Sequence, residues 1–282
     1  MKVYGVITMD IVGSGRIKER EQFQNKLNSY IKQLNHKYSH ILAAPISSIT
    51  AGDEWQLITD NLSMLYDLVL EFQQLLWTDK IELYAGIGIG FLKTDLHSEV
   101  GRIDGSCFQM ARKALNIAKG QIKSKHKFIY SKSNRVYFIP DPILEENLIK
   151  QSLSGSYPLI PHDTLKTGFA NSFPYGEAAA TAEMPANFIK KNESKFTLYS
   201  LINILIENNE ILKSRMTEKQ KKVYLDYLTY GTYRKILEAY GNSSNESIGG
   251  IGQKLNTAEF FTMRQNRIVI ASMLSVYMEM GG

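Results

Sequence analysis

Two short stretches of this chain hold residue types that can do chemistry. Met9-Asp10-Ile11-Val12-Gly13-Ser14 sets one carboxylate just before a glycine-loosened turn, and Gly52-Asp53-Glu54-Trp55 sets a second in another turn. Two carboxylates beside such a loop form a minimal cage for Mg²⁺ (or Mn²⁺) and phosphate oxygens. A single Asp at a strand end is ordinarily a turn former or a helix cap. Two of them, separated by 43 residues and followed in one case by Gly13-Ser14-Gly15, point instead to a shared site.

Such a site needs both acids at one end of a sheet. Val3, Gly5, Ile7 and Met9 alternate with Tyr4, Val6 and Thr8 in a run apolar on both faces, which fits a buried strand ending at Asp10. Ile46 to Thr50 stops at Ala51-Gly52 and resumes at Trp55 to Ile58, as a hairpin does. A hairpin strand beside the first brings Asp53 to Asp10. Apolar residues from Phe23 to Leu42 recur at helical steps over about five turns. Leu62 to Leu76 predicts a second amphipathic helix, with Asn61 or Asp60 as its N-cap. Ile81 to Phe91 reads as a strand in which Gly86, Gly88 and Gly90 mark a close approach by another backbone, a bulge or a ligand. Gly105 to Lys119 is helical, with Met110, Ala111, Ala114, Leu115 and Ala118 inward, and Lys127–Tyr130 with Arg135–Ile139 predicts a closing pair of strands. The order β-α-β-β-α-β-α-β makes residues 1–145 an α+β, ferredoxin-like (βααββαβ-type) domain. Residues 146–195 hold four of the seven prolines and read as an irregular insertion or linker. Residues 196–282 read as an all-α domain.

The Asp10 stretch resembles the metal-binding strand end of class III nucleotide cyclases, and Gly52-Asp53 resembles their second metal-binding Asp. Gly52-Asp53-Glu54-Trp55 is also similar to the Gly-Gly-Asp-Glu-Phe signature of diguanylate cyclases, which share that palm fold. Overall the chain resembles SatD-family bacterial proteins over roughly residues 1–130 and 196–260. The resemblance implies attack of a ribose 3′-hydroxyl on an α-phosphate, assisted by two Mg²⁺ (or Mn²⁺) ions. Asp10, Asp53 and the Ile11 carbonyl would hold the ions, while backbone N–H groups of Val12, Gly13, Ser14 and Gly15 would cradle phosphates. The resemblance also implies a homodimer with its site between subunits. Active cyclases carry an Asn and, four residues later, an Arg on the helix after the glycine strand. The matching positions here are Gln109 and Lys113, which share a helix face but lose the planar guanidinium fork. Arg112 lies about 100° round the helix, and Ile49 stands where a base-reading Lys is often found. These departures point to binding without chemistry, weak turnover, or an altered nucleotide.

Toward the C-terminus, Thr217 predicts the N-cap of a helix that Gly231 ends, a short helix runs from Tyr233 to Gly241, and a third starts near Glu246. That spacing resembles a helix-turn-helix of the kind in sigma-factor region-four and response-regulator domains. Ser247, Gln253, Lys254 and Asn256 would face double-stranded DNA, although Gly249, Gly250 and Gly252 are costly in a helix. A small dimerising bundle is the plainer reading. Residues 213–282 hold 10 Lys/Arg against 6 Asp/Glu, the larger part of a net charge of +5, which suits nucleic acid as well as a solvated face. The single cysteine, Cys107, excludes an internal disulfide framework and reads as helix packing. His36 and His40 lack an acidic or Cys partner and read as surface residues. With no early uninterrupted apolar run and no membrane-length segment, the chain is expected in the cytoplasm. Its expected role is a nucleotide-responsive, Mg-binding transcriptional regulator; the alternative is an active nucleotidyl cyclase or transferase using a nucleoside triphosphate.

Overall fold

The structure, a computed structural model, describes residues 1–48, 53–122, 131–153, 197–241 and 246–281. Among the described residues five strands form one mixed sheet: β1 (Tyr4–Ile11), β2 (Leu42–Ser48), β3 (Glu54–Thr59), β4 (Leu83–Gly90) and β5 (Val136–Pro140), in the order β2-β3-β1-β4-β5. β1 is antiparallel to both β3 and β4, and β5 is parallel to β4. The chain thus has α+β architecture, with its central strand the one that sequence alternation marks as buried on both faces.

Helices α1 (Arg20–Lys37) and α2 (Leu65–Trp77) cover one face, and α3 (Ser106–Ala118) lies across the other. α1 is shorter than its apolar pattern predicts. The Ser39 hydroxyl donates to the His36 carbonyl at 3.2 Å, and Leu42 already belongs to β2. A 3₁₀ turn, Leu62–Met64, precedes α2; Asn61 precedes it without a side-chain cap and accepts from the Ser63 hydroxyl at 2.7 Å instead. The predicted Arg135–Ile139 strand is β5 (Val136–Pro140), which pairs in parallel with β4. Residues 127–130, the other half of the expected pair, lie outside the described residues, as do Ile49 to Gly52.

α3 rests on the sheet because β4 has no side chains beneath it. A Cβ on Gly86 would stand 2.2 Å from the Ala111 carbonyl oxygen, and one on Gly88 2.2 Å from the Ala111 nitrogen. One on Gly90 would stand 2.4 Å from the Ser106 hydroxyl oxygen. Of the three readings that glycine in a strand permits, close approach of a helix backbone is the one realised.

The expected linker at 146–195 begins as helix: α4 (Pro142–Leu153) starts on a proline, where the missing N–H costs nothing, and buries Leu144 and Leu148 one turn apart. Residues 154–196 lie outside the described residues. Five further helices follow among the described residues: α5 (Leu198–Ser214), α6 (Glu218–Tyr230), α7 (Tyr233–Tyr240), α8 (Ile248–Thr257) and α9 (Phe260–Glu279). Packing does not follow a division at residue 196. Ile202 and Ile206 of α5, with Ile270, Leu274 and Tyr277 of α9, share the core of the sheet. α6, α7 and α8 enclose a separate core around Val223, Ile236, Ile251 and Leu255.

α5 also closes the sheet edge. Asn203 accepts from the Phe138 N–H and donates to its carbonyl, both at 2.9 Å, taking the place of a neighbouring strand. A buried cluster ties α5 to α2: Lys213 donates to Gln73 and Glu210, and burial pushes its ammonium below the ordinary lysine range. Among the described residues no helix is long and apolar enough to cross a membrane.

The glycine contact makes a sharp prediction. Gly88→Ala should destabilise the protein by about 3 kcal/mol, because the clash is with helix backbone rather than a movable side chain. Gly101→Ala, with nothing within 4 Å of its added carbon, should stay within about 0.5 kcal/mol of wild type. Urea unfolding of the two variants checks this; similar midpoints would refute it.

Candidate functional site

Asp10 is the second-last residue of β1, at the end of the sheet where the chain turns. Its Cα partners are Glu54 on β3 and Tyr84 on β4. Antiparallel alternation puts partnered residues on one face, so the α3 face carries, row by row, Val6 with Ile58, Thr8 with Gln56, and Asp10 with Glu54. The rows grade from apolar to charged. Gln56 donates to the buried Thr8 hydroxyl at 2.8 Å, between core and acids.

The structure brings the two sequence-predicted acids together in backbone, and gives their carboxylates different partners. The Ile11 N–H donates to the Asp53 carbonyl at 3.4 Å, so the strands meet where the hairpin reading places them. Glu54 is the residue on Asp10's face. The Asp53 carboxylate has Arg20, at the start of α1, 3.9 Å away. Asp10 instead forms an ion pair with Lys119 at the end of α3, and both side chains are largely buried. Glu54 is gripped by Arg112, whose Nη1 donates to Oε2 at 2.6 Å while Nη2 stands 2.5 Å from Oε1. Arg112 and Lys119 are seven residues, about two turns, apart, so α3 lays both cations along one line over both acids.

The turn after Asp10 is built for open amides. Gly13 has φ +66°, the left-handed region that glycine adopts without cost, and starts a 3₁₀ turn over Ser14–Arg16. The N–H groups of Gly13, Ser14 and Gly15 have no partner among the described residues, and nothing lies within 4 Å of a Cβ added to Gly15. Val12 departs from the predicted cradle, since its N–H donates to the Glu82 carbonyl at 2.9 Å.

Gln109 and Lys113 lie on the exposed side of α3, one turn apart. Arg112 and Lys119, not they, reach the acids within one chain. Cys107 is buried against the sheet and burial pushes its thiol up to about 12, so packing describes it better than nucleophilicity. Among the described residues, no group of three or more His, Cys, Asp or Glu side chains is placed to hold a metal ion. A cation at Asp10 would take its remaining ligands from water and phosphate oxygens, which is the habit of Mg²⁺.

This strand-end acid, glycine turn and glycine-bearing β4 all fall within one matched stretch. Residues 4–136 match the SatD family model. The chain is similar to the SatD family from the first residue of β1 to the first of β5, so the match takes in Asp10, Asp53, Glu54, Gln109, Arg112, Lys113 and Lys119. α5 to α9 lie beyond the SatD match. No curated protein matches the chain.

Sequence reasoning missed Glu54, Arg112 and Lys119 as partners. Extending the hairpin by alternation from Asp10 would have found Glu54. The seven-residue spacing of the two cations on α3 was a further signal, weak until the helix has a known face.

The Arg112–Glu54 pair gives the second prediction. Arg112→Ala leaves a mostly buried carboxylate with its fork removed and should cost about 1–3 kcal/mol. Arg112→Lys should recover part of that, through a single contact in place of two. Thermal unfolding of both variants measures the difference; an unchanged midpoint in Arg112→Ala would show that the pair contributes nothing.

Proposed function

We propose that this protein binds a nucleoside triphosphate with Mg²⁺ (or Mn²⁺) at the Asp10 end of the sheet, as a nucleotide-responsive regulator that contacts DNA through α6–α8. One observation carries this reading: Asp10, the second-last residue of the central strand, is followed after two intervening residues by three open amides, Gly13 to Gly15. A cation on the carboxylate and phosphate oxygens on the amides are complementary demands met side by side. The strand order β2-β3-β1-β4 supports a ferredoxin-like palm extended by β5, in keeping with the cyclase resemblance. Fold likeness alone licenses no activity.

Binding is favoured over turnover. Gln109 and Lys113 replace the Asn and Arg of active cyclases, and α3's own cations already neutralise Asp10 and Glu54. Gln109 and Lys113 would reach a nucleotide only from a second chain, which fits a homodimer with its site between subunits.

For the helical part, the support is local. Thr217 caps α6 in a full capping box with Gln220, Gly231 ends it with φ +74°, and Ser247 caps α8. α8 would be the recognition helix. Gln253 and Asn256 are exposed on it, whereas Ser247's hydroxyl accepts from the Gly250 N–H and Lys254 is paired with Glu246. Gln253 and Asn256 are therefore the stronger base-contacting candidates, and Asn242 to Asn245 lie outside the described residues.

Titration of ATP and GTP with Mg²⁺ tests the nucleotide site: Asp10→Asn should weaken binding at least about tenfold, the loss of one charge-assisted interaction, and equal affinity in both proteins would overturn the reading. Pyrophosphate release from labelled triphosphates would move the protein to the enzymes. DNA binding should fall steeply between about 50 and 200 mM salt. No binding even at low salt would leave α6–α8 as a dimerising bundle.

A further inference from the structure

Behind Lys119 lies a cavity of about 260 Å³ at the β4–β5 end of the α3 face. Lys119, Lys132 and Arg135 line it, with Ser131, Asn134 and Tyr84 supplying further hydrogen-bonding groups. No acidic residue is among its described lining. The acids that touch the lining do so from outside: Asp10 on Lys119, Glu82 on Arg135 at 3.2 Å, and Glu207 accepting from the Ser131 N–H at 2.6 Å. Lys132 has no acidic partner among the described residues. Tyr84, which lines the cavity, is Asp10's own neighbour across the β1–β4 pair, so cavity and carboxylate lie one strand apart with Lys119 between them.

We propose that this cavity binds a phosphate group, and that Lys119 couples it to a divalent cation at Asp10. The inference rests on the reading of Asp10 as a cation ligand and deepens it. An ammonium already in contact with the carboxylate competes directly with a cation. Displacing it alone is costly, because a largely buried ammonium loses its counter-ion. A tetrahedral oxyanion in the cavity supplies a new one. Lysine suits the exchange, being a compact point charge on a flexible four-carbon stem, and Gly120 (φ +72°) ends the helix just beyond it. Cation and oxyanion then strengthen each other's binding by the same factor, since coupling between two sites is reciprocal. A triphosphate carrying its own metal satisfies both at once, whereas free Mg²⁺ meets an occupied carboxylate.

The test is Mn²⁺ binding followed by electron paramagnetic resonance, with sulfate as the oxyanion and chloride holding ionic strength constant. In wild type, sulfate should tighten Mn²⁺ binding by about fivefold or more, the lower range of measured couplings. Lys119→Met should bind Mn²⁺ more tightly than wild type without sulfate, and sulfate should no longer help. Arg135→Gln, which leaves Asp10 and Lys119 in place, should shrink the sulfate effect. If Lys119→Met binds Mn²⁺ no better than wild type, or keeps the full sulfate response, the coupling is wrong while the Asp10 site stands. If Asp10→Asn binds Mn²⁺ as wild type does, or none of the proteins binds it, the site itself fails.

Discussion

The contact between the backbone of α3 and the bare surface of β4 is the constraint on which the candidate site depends. Removing three side chains, at Gly86, Gly88 and Gly90, brings the helix down until main-chain atoms touch. That closeness gives the side chains at the helix's edge their reach. Arg112 and Lys119 can meet Glu54 and Asp10 only because the helix axis runs so near the sheet. A helix held off by ordinary alanine or valine side chains would leave both cations in solvent and both acids bare.

Those two ion pairs differ in character. Arg112 grips Glu54 with two nitrogens, and Glu54 is the more deeply buried partner, so the pair acts as a clamp between α3 and the hairpin strand. Lys119 meets Asp10 with a single point charge at the very end of its helix. One acid is thus held by a two-nitrogen fork and the other by a single ammonium. The open amides of Gly13 to Gly15 stand beside the second.

The C-terminal helices are joined to this arrangement rather than appended to it. α9 returns to the sheet, where Arg267 pairs with Asp67 of α2 and Tyr277 donates to Glu145 of α4. α5 fills the place of a sixth strand at the β5 edge. α6, α7 and α8 build a second core that Phe260 and Met263 of α9 complete and Trp77 of α2 packs against. α5 thus packs both on the sheet edge and, through Leu212, on the core of the helical unit.

Much of this was legible in the residues alone. The apolar run of β1 marked a buried strand, the glycines of β4 marked an unusual strand face without saying what approaches it, and Thr217, Gly231 and Gly241 marked helix boundaries, because each signal is local to its element. The alternation also held the means to see that Glu54 rather than Asp53 would share Asp10's face. Only the tertiary structure decided which cations meet which acids, that β5 joins β4, that α5 and α9 enter the sheet's core, and that Val12's amide is already taken. Those outcomes turn on rotation and distance between elements far apart in the chain, and no local period records how one helix is turned against a sheet it reaches a hundred residues later.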